Sequence, residues 1–360
     1  MGKLKILELF GGIGACSKAL ERLGIDYEIA DYVEIDKYAV KSFNAIHNTN
    51  FEPQDITMWD KDIEVDLIMH GSPCQDFSLA GKQAGGDEGS GTRSSLMYET
   101  IRIVEKLKPK YVIWENVKNL LSKKHIHNFN AYLNKMESLG YTNYYQVLNA
   151  KDYGIPQNRE RVFTVSILKD ISFVFPPKQE LKLKLKDMLE DEVDEKYYLS
   201  EKMIKYISAT GTANFRNPDS KINLDIARPL TTDHNKRAGT TNYLSEDLPS
   251  NYDLNRCIQV AQMYETKKEP NPQAGRIYDV NGLSPTLNTC SGGNRMPKLL
   301  EDFRIRRLTP KECFKLMGFD DEDYERAAQV NSNTQLYKQA GNSIVVNVLE
   351  AILKELLINE

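Results

Sequence analysis

A cysteine that follows a short apolar run is the residue of this chain with the clearest chemical potential. Residues 67–69 are apolar and indicate a buried parallel strand, which Gly71 ends shortly before Pro73 and Cys74. Open α/β sheets present their reactive groups at the carboxyl ends of their strands, where this thiol is expected. Pro73 fixes the local backbone and so part of the direction of the sulfur. On these observations alone, Cys74 is a nucleophile, a metal ligand or an inert buried residue.

Two further predicted strands lead to an acid and to a pair of arginines. The apolar run 111–114 predicts a strand that presents Glu115 at its carboxyl end. A strand near 144–149 leads through a turn containing glycine and proline to Arg159 and Arg161. A carboxyl group can transfer protons and guanidinium groups can stabilise developing negative charge, so these residues are candidates for catalysis.

The amino-terminal stretch predicts a nucleotide-binding turn. A strand over 4–10 runs into the glycine-rich segment 10–14, and apolar positions at helical spacing follow over 15–23. Glycines let the backbone approach a cofactor closely, and the start of a helix supplies free N–H groups. A second strand over 29–33 ends in Glu34, an acid that can bind the two hydroxyls of a ribose. The alternative is a tight strand–helix turn followed by a solvated acid.

The order of these elements predicts the fold class. Strands alternate with helices to about residue 168, which indicates an α/β fold with a doubly wound, mostly parallel sheet. We expect residues 1–190 to form the first domain, completed by a terminal helix within 340–360. Residues 191–339, which are rich in Asn, Thr, Gly and Pro, are expected to form a smaller, loop-rich domain and a hinge.

Two helices are expected near the carboxyl terminus. Thr309 and Pro310 are typical of a helix start, and Gly318 of its end. The segment 339–343 is expected to open a final apolar helix over 344–357.

Composition narrows the class of protein. The chain has 360 residues, of which 41% are hydrophobic and 27% charged, as in ordinary globular proteins. Its five cysteines are widely spaced without a Cys-x-x-Cys pair, which argues against disulfides and a zinc site and favours a reducing cytosol. The five histidines show no ligand spacing, so we expect no metal. No apolar run has the length of a membrane span, and the amino terminus lacks the pattern of a signal peptide.

The charge is unevenly distributed along the chain. Residues 1–70 have a net charge of −6, whereas residues 200–300 have a net charge of +3, within a total of −4. A polyanion is therefore expected to meet the second stretch, although this bias alone does not identify one.

Six segments resemble, in the family's own order, the motifs of the bacterial and phage DNA (cytosine-5)-methyltransferases. One such motif is weakly specific, whereas six in order are very hard to obtain by chance. The resemblance covers nearly the whole chain and implies a Rossmann-like, S-adenosylmethionine-dependent catalytic domain with a target-recognition domain. The matching segments are residues 10–14, Pro73-Cys74-Gln75, Glu115-Asn116-Val117, Gln157-x-Arg159-x-Arg161, Arg307-Leu308-Thr309-Pro310 and Gly341-Asn342-Ser343.

The resemblance implies catalytic roles for Cys74, Glu115, Arg159 and Arg161. Carbon 5 of cytosine is a poor nucleophile, and addition of the Cys74 thiolate at carbon 6 turns the ring into a reactive enamine. Glu115, kept neutral in a closed site, is expected to hydrogen-bond or protonate ring nitrogen 3. Arg161, with Arg159 beside it, is expected to polarise the exocyclic oxygen. Because a stacked base is out of reach, the target must be flipped out of the duplex.

The cofactor that the resemblance implies is S-adenosylmethionine. It assigns Glu34 to the ribose hydroxyls, Ile35 to the adenine face and Asp55 to the adenine amino group. The chain departs from the family at Gln54, where most members have glycine. The residues expected to bind the cofactor are Phe10, Gly12, Ile13, Gly14, Glu34, Ile35, Asp55, Ile56, Pro73, Leu96, Asn342 and Ser343.

The partner implied for the smaller domain is double-stranded DNA. Arg276 is expected to read a guanine and Thr286 to contact a phosphate, with a solvated loop as the alternative. The loop 75–95 is expected to close over the flipped base. The residues expected to contact DNA are Gln75, Ser78, Gln273, Arg276, Thr286, Ser291, Gly292 and Gly293.

The resemblance further suggests a monomer in the bacterial cytosol, associated with the nucleoid, with or without a restriction endonuclease for the same site. Three other functions stay open. A transfer-RNA cytosine methyltransferase would share the motifs, but the 100-residue recognition region favours duplex DNA. A nicotinamide-dependent oxidoreductase leaves Cys74 and the arginine motif unexplained. An inactive DNA-binding regulator is disfavoured by the presence of both Cys74 and Glu115.

Overall fold

The computed structural model describes residues 2–73, 96–169, 171–199, 257, 259–262, 276–287, 297–301 and 304–358. The loop 75–95 lies outside these residues, and so do the predicted nucleophile, Cys74, and six predicted DNA contacts. These contacts are Gln75, Ser78, Gln273, Ser291, Gly292 and Gly293. Within the described ranges, no helix has the length and apolar character needed to cross a membrane. The same ranges contain no cluster of three or more His, Cys, Asp or Glu residues suited to a metal ion.

The central sheet is mostly parallel, as the sequence predicted. Its strands and one short neighbouring strand are β1 (Leu4–Leu9), β2 (Tyr27–Val33), β3 (Leu67–His70), β4 (Tyr111–Val117), β5 (Thr142–Asn149), β6 (Gln157–Asn158) and β7 (Glu160–Ile167). All except β6 belong to one sheet with the order β2-β1-β3-β4-β7-β5. Strands β1 to β4 pair in parallel, whereas β7 runs antiparallel to both of its neighbours.

Helices cover both faces of this sheet. The α-helices of the described residues are α1 (Ala15–Arg22), α2 (Lys37–His47), α3 (Met97–Leu107), α4 (Ile126–Ser138), α5 (Pro310–Lys315), α6 (Asp321–Val330), α7 (Asn333–Asn342) and α8 (Val346–Leu357). Ile6 and Leu67 belong to the hydrophobic core that contains α1 and α8, whereas Leu7 and Ile68 belong to the core that contains α3 and α4. Because both faces are buried, β3 and β4 begin with apolar runs, at 67–69 and 111–114. The predicted doubly wound sheet is confirmed.

Short 3₁₀ helices connect several of these elements. They span Ile56–Met58, Lys118–Leu121, Ala150–Tyr153, Leu185–Met188 and Glu195–Tyr197.

The register of the parallel strands aligns their carboxyl ends. Leu9 of β1 lies opposite His70 of β3, and His70 lies opposite Trp114 of β4. The residues that follow β1 and β3 therefore lie at the same edge as Glu115. This edge is where an open α/β sheet places its ligands.

A second, smaller sheet lies in the region that the sequence predicted as loop-rich. It consists of β8 (Gln259–Gln262), β9 (Arg276–Asp279), β11 (Lys298–Glu301) and β12 (Arg304–Arg307), in the order β12-β11-β9-β8. The short β10 (Ser284–Pro285) instead pairs in parallel with β6. None of these strands exceeds four residues, so the period-two pattern that predicts strands is too short to see in the sequence.

The predicted start of the final helix is wrong. Residues 339–342 do not open it, because they form the last turn of α7, and α8 begins at Val346. Leu336 and Ala340 of α7 are fully buried. Helix α6 is not apparent from the sequence, because most of its residues are charged or small and only Asp323 and Ala327 are buried.

Helices α6 and α7 pack against the first part of the chain. Lys18 of α1 lies 3.1 Å from the Asp323 carboxylate, and the Ser42 hydroxyl of α2 donates to the Gln339 side chain at 2.8 Å. The predicted division that assigns 191–339 to a second domain stays a prediction. These contacts favour a second domain that ends before α6.

The start of α5 contains a buried ion pair next to its cap. As predicted, Thr309 caps the helix, since its hydroxyl accepts from the Glu312 amide at 3.2 Å and its amide donates to the Glu312 carboxylate at 2.7 Å. The same carboxylate accepts two hydrogen bonds from the Arg306 guanidinium, at 2.9 and 3.0 Å. Both side chains are fully buried. Burial raises the pKa of Glu312, and the pairing with Arg306 opposes that rise.

Replacement of Arg306 by Met should destabilise the fold, because it leaves the Glu312 carboxylate buried without its partner. We expect the free energy of unfolding to fall by about 3–5 kcal/mol. The matched control is Lys135→Ala, which removes an exposed pair with Glu105 and should cost less than about 1 kcal/mol. Urea denaturation measures both variants, and equal losses would contradict a stabilising role for the buried pair.

Candidate active site

A cleft at the carboxyl edge of the central sheet brings several predicted motifs together. It lies between the turn after β1, the end of β3, strand β4 and the connection between α7 and α8. Its lining includes Phe10, Gly12, Gly71, Glu115, Asn342 and Ser343. Residues predicted to bind the cofactor thus share one cleft with the predicted catalytic acid.

The turn after β1 requires glycine at two positions. Gly12 and Gly14 have φ values of +57° and +82°, in the left-handed region that other residues rarely adopt. At Gly14, a Cβ atom would lie 2.1 Å from Nε2 of His47. The Gly14 amide donates to the Gly11 carbonyl at 2.9 Å, which closes the turn just before α1 begins. The turn therefore brings the amino-terminal end of α1 to the cleft.

Glu34 lies directly beside this glycine turn. Its carboxylate accepts hydrogen bonds from the Gly12 amide at 3.3 Å and from the Asp36 amide at 2.8 Å. Burial raises the pKa of Glu34, and the backbone hydrogen bonds oppose the rise. The next residue, Ile35, is 68% exposed although it is apolar, so its side chain is available to cover an apolar ligand surface.

Gln54 anchors the segment that carries Asp55. Its backbone amide donates to the Glu34 carbonyl at 2.9 Å, which places the segment beside Glu34. Its side-chain amide donates to the Tyr32 carbonyl at 2.7 Å and to the Asp31 carboxylate at 3.0 Å. Glycine cannot make the last two contacts, so the departure from the family pattern adds an attachment to β2.

Asp55 and Ile56 differ in their exposure. Asp55 is exposed, and its carboxylate accepts from the Thr57 amide at 2.9 Å, which caps the 3₁₀ helix Ile56–Met58. Ile56 is only 4% exposed and packs in the core beside α3 and α4. Of these two predicted cofactor contacts, the structure therefore presents the Asp55 side chain at the surface and holds Ile56 beneath it.

The predicted acid and Arg161 form an ion pair at the cleft. Strands β4 and β7 run antiparallel, with Val117 opposite Arg161, so Glu115 and Arg161 are diagonal neighbours on one face. Nε of Arg161 lies 3.0 Å from Oε1 of Glu115, and the two side chains are 17% and 12% exposed. Oε2 of Glu115 lies on the side of Gly71, where a Cβ atom would be 3.8 Å away.

Arg159 makes contacts of a different kind from those of Arg161. It is 4% exposed, and its guanidinium donates to three backbone carbonyls. These belong to Leu287 at 3.1 Å, Gly341 at 3.2 Å and Ser343 at 2.8 Å. These donors hold separate stretches of backbone together, and the catalytic role predicted for Arg159 stays a prediction.

The segment that contains Thr286 is attached to the arginine motif. The Thr286 hydroxyl donates to the Asn158 carbonyl at 2.6 Å, and the Leu287 amide donates to the Gln157 side chain at 3.3 Å. The Gln157 side chain also donates to the Leu316 carbonyl at 2.7 Å. Thr286, which was predicted to contact a phosphate, therefore uses its only hydroxyl proton within the protein.

Three other predicted site residues are not among those that line the cleft. Pro73 is partly buried at the end of the segment that follows β3. Leu96 is partly buried at the start of α3 and packs against the core. Arg276 lies on β9, where its side chain hydrogen-bonds the buried Tyr278, and its predicted contact with guanine stays a prediction.

Comparison with known proteins decides the family. The model of the C-5 cytosine-specific DNA methylases matches residues 4–357. The chain belongs to this family. The resemblance found in the six motifs is thereby confirmed, and with it the assignment of the chain as a methyltransferase.

Relatives of this methylase include enzymes of phages and bacteria. The orphan methyltransferase M.SPRI of Bacillus phage SPR is 34% identical, with 99% of this chain and 98% of the relative covered. The type II methyltransferase M2.ScrFI of Lactococcus lactis subsp. cremoris is 34% identical, with 98% of this chain and 99% of the relative covered. The type II methyltransferase M.HhaI of Haemophilus parahaemolyticus is 31% identical, with 97% of this chain and 93% of the relative covered.

Solved structures agree with the fold of the methylase. The Entamoeba histolytica methyltransferase EhMeth matches with a TM-score of 0.68 at 16% identity, covering 100% of this chain and 99% of that chain. The S. pombe methyltransferase Dnmt2 matches with a TM-score of 0.64 at 17% identity, covering 99% and 98%. At these identities the likeness establishes the fold alone.

Glu8 is a residue of the methylase cleft that the sequence analysis did not assign to the site. It lies in β1 and is 2% exposed, and its carboxylate accepts hydrogen bonds from the amide of Ser17, at 3.1 Å, and from its hydroxyl. Burial raises the pKa of Glu8 to about 7, and the hydrogen bonds from Ser17 oppose that rise. An acid between Leu7 and Leu9 of a mostly apolar strand was the available signal, since a carboxyl group is rarely buried without a specific partner.

Replacement of Arg159 by Ala should mainly reduce stability. It leaves three buried carbonyls without their donor, and each lost partner costs about 1–3 kcal/mol. Arg161→Ala should reduce stability less, since Glu115 borders the open cleft and can be hydrated. Urea denaturation and methyl transfer are measured for both variants. A stable Arg159→Ala protein that has lost methyl transfer would support the predicted catalytic role of Arg159.

Replacement of Glu8 by Gln should alter the pH dependence of stability. The folded pKa, about 7, lies above the ordinary value of 4.5, so the folded protein keeps a proton that the unfolded chain has released. The bound proton contributes about 3 kcal/mol to the free energy of unfolding. This contribution is fully present below pH 4.5 and is lost as the pH rises to 7. In urea denaturation, we expect the free energy of unfolding of the variant to rise relative to that of the wild type over this pH interval. A difference that is constant with pH would contradict the assignment.

Proposed function

We propose that this methylase transfers a methyl group from S-adenosylmethionine to carbon 5 of a cytosine in double-stranded DNA, with Cys74 as covalent nucleophile. The observation that carries the proposal is the position of the Glu115–Arg161 pair. It borders the same cleft as the glycine turn, next to the strand end that leads to Pro73. An acid, a cation and a nucleotide-type turn at one edge suit transfer of a group to a base.

The residues of the cleft fit S-adenosylmethionine. The start of α1 and the glycine turn allow close approach of a ligand, and the Glu34 carboxylate beside them has acceptor capacity left for ribose hydroxyls. Exposed Ile35 and Asp55 would cover the adenine face and bind its amino group. When bound there, S-adenosylmethionine supplies an electrophilic methyl group and leaves as a neutral thioether.

The protein would make the cytosine nucleophilic in two ways. A bond forms between Sγ of Cys74 and carbon 6, and the displaced electron pair passes through the ring to carbon 5, which takes the methyl group. Glu115 would donate a proton or hydrogen bond at ring nitrogen 3, where charge develops. Solvent water acting as a base would then remove the proton from carbon 5, and the electron pair of that bond forms the double bond between carbons 5 and 6 and expels Cys74 as thiolate. Glu115 takes back any proton that it gave to ring nitrogen 3, which restores the ring.

Arg161 would hold Glu115 in the orientation that this step requires. Its Nε contacts Oε1, so the carboxyl group is fixed by one oxygen while Oε2 faces Gly71. Oε2 is therefore the oxygen that we assign to ring nitrogen 3. We assign the guanidinium to the exocyclic oxygen of the base, which it would polarise.

Duplex DNA is favoured over transfer RNA as the substrate. The relatives that match over nearly the whole chain at 31–34% identity are named as type II or orphan methyltransferases in a DNA methylase family. The region 200–300, which would contact the duplex, carries the positive net charge. We assign Arg276 to base reading and the part of residues 191–339 that precedes α6 to target recognition, and a base would be flipped into the cleft for reaction.

Trapping with a fluorinated base tests the nucleophile and the substrate together. Plasmid DNA copied with 5-fluorodeoxycytidine triphosphate carries the trap at every possible target. Fluorine at carbon 5 cannot leave as a cation, so the bond between Sγ and carbon 6 should persist when S-adenosylmethionine is present. We expect a covalent adduct with wild type, seen by denaturing electrophoresis, and none with Cys74→Ala.

The control for this experiment is a second thiol. Cys257 is partly buried and its sulfur donates to the Ser284 carbonyl at 3.4 Å, so Cys257→Ser keeps a donor there and should still form the adduct. An adduct with Cys74→Ala would show that another residue is the nucleophile. Labelled methyl transfer to transfer RNA but not to unmodified duplex DNA would overturn the choice of substrate.

A further inference from the structure

A buried cluster of polar and aromatic side chains lies beneath the segment that leads to the predicted nucleophile. Ser72 is 4% exposed, and its hydroxyl accepts a hydrogen bond from Nε1 of Trp114 at 3.0 Å. The Ser72 carbonyl accepts a second one from the side chain of Asn116 at 3.4 Å. Both donors belong to β4, the strand that also presents Glu115. One strand thus holds the acid and the backbone two residues before Cys74.

The indole of Trp114 is held in a single orientation. It is 1% exposed and stacks on His70, with ring centroids 5.6 Å apart and an angle of 6° between the planes. It also contacts Tyr132, at 4.2 Å between centroids, and the Tyr132 hydroxyl lies 3.2 Å from Nε2 of His70. Burial lowers the pKa of His70 to about 3, so the stacked imidazole is neutral. The N–H of Trp114 therefore points at Ser72 without freedom to rotate away.

The spacing along the chain makes this hydrogen bond relevant to the reaction. Ser72 is joined through Pro73 to Cys74, and Pro73 has a restricted backbone, so a shift of Ser72 is passed on to the next residues. Trp114 is bonded to Glu115 and its side chain points to the opposite face of the sheet. The position of Ser72 relative to Glu115 thus depends on the hydrogen bonds that β4 donates to Ser72.

We propose that Trp114 is a positioning residue, whose indole N–H holds Ser72 and so sets the place of the nucleophile relative to Glu115. The inference rests on the proposed function, since it concerns the same covalent step. It adds a residue that lies outside the six motifs of the family and that does not line the cleft.

Two single variants remove the same hydrogen bond from its two ends. Trp114→Phe keeps an aromatic ring in the stack and loses the N–H, whereas Ser72→Ala loses the acceptor with little change in volume. We expect each to slow adduct formation with the fluorinated plasmid by about 10- to 100-fold at saturating S-adenosylmethionine, the scale for displacement of a reacting group by about 1 Å. The affinity for S-adenosylmethionine should hardly change.

The double variant separates positioning from general loss of stability. If both changes act through one contact, Trp114→Phe/Ser72→Ala should be no slower than the slower single variant, because coupled effects are not additive. The matched control is Tyr141→Phe, which removes a buried aromatic donor to the Pro109 carbonyl, 2.8 Å away, before β4 begins. It should lower the melting temperature and leave the rate of adduct formation unchanged.

The outcomes distinguish this inference from the proposed function. If wild type forms no adduct, the proposed function fails. If the wild type forms the adduct, and Ser72→Ala and Trp114→Phe form it at the rate of the wild type, the positioning role is overturned. The role is also overturned if the two effects multiply in the double variant, or if Tyr141→Phe slows the reaction as much. Ser72→Ala keeps the test decisive if Trp114→Phe does not fold.

Discussion

The arrangement of the site depends on one buried guanidinium. Arg159 lies between β6, which pairs with β10 of the predicted recognition region, and β7, which belongs to the central sheet. Its three hydrogen bonds go to carbonyls of two distant stretches, at Leu287 and at Gly341 and Ser343. Burial of a charge is costly unless its donors are satisfied, so these stretches must meet at Arg159 for the charge to be tolerated. The recognition region and the edge of the cleft are therefore fixed to the same residue.

What could be predicted from the sequence follows from local rules. The ends of β1 and β3, the glycine turn and the cap at Thr309 each depend on a few neighbouring residues, and the structure agrees with them. Strand β4 instead runs to Val117, so Glu115 lies within the strand and not after its predicted end at 114. The roles of Arg159 and Arg161 could not be separated, because both are arginines two positions apart. The interruption between β6 and β7 gives them different surroundings, and it depends on pairing with β10, more than a hundred residues away. Helix α6 was missed for a related reason, since its packing relies on an ion pair with Lys18.

The acidic first part of the chain uses several of its carboxylates within the fold. Glu8 accepts from Ser17, Glu34 from the glycine turn, and Asp55 from the start of a 3₁₀ helix. Asp31, although burial raises its pKa, is held below the ordinary value by hydrogen bonds from Lys61, Trp59 and Gln54. Carboxylates that cap backbone N–H groups order the loops at the carboxyl edge of a sheet. The net charge of −6 over residues 1–70 is thus partly a consequence of how this edge is built.

The contact between Thr286 and Asn158 limits how the recognition region can meet DNA. A hydroxyl has one proton, and that of Thr286 is donated to the Asn158 carbonyl at 2.6 Å. Phosphate oxygens only accept hydrogen bonds, so a phosphate contact through this hydroxyl requires the bond to Asn158 to break. Asn158 immediately precedes Arg159, which is fixed to the edge of the cleft. Contact with the DNA backbone at Thr286 would therefore act on the segment that holds the arginines, which couples the position of the duplex to the geometry of the site.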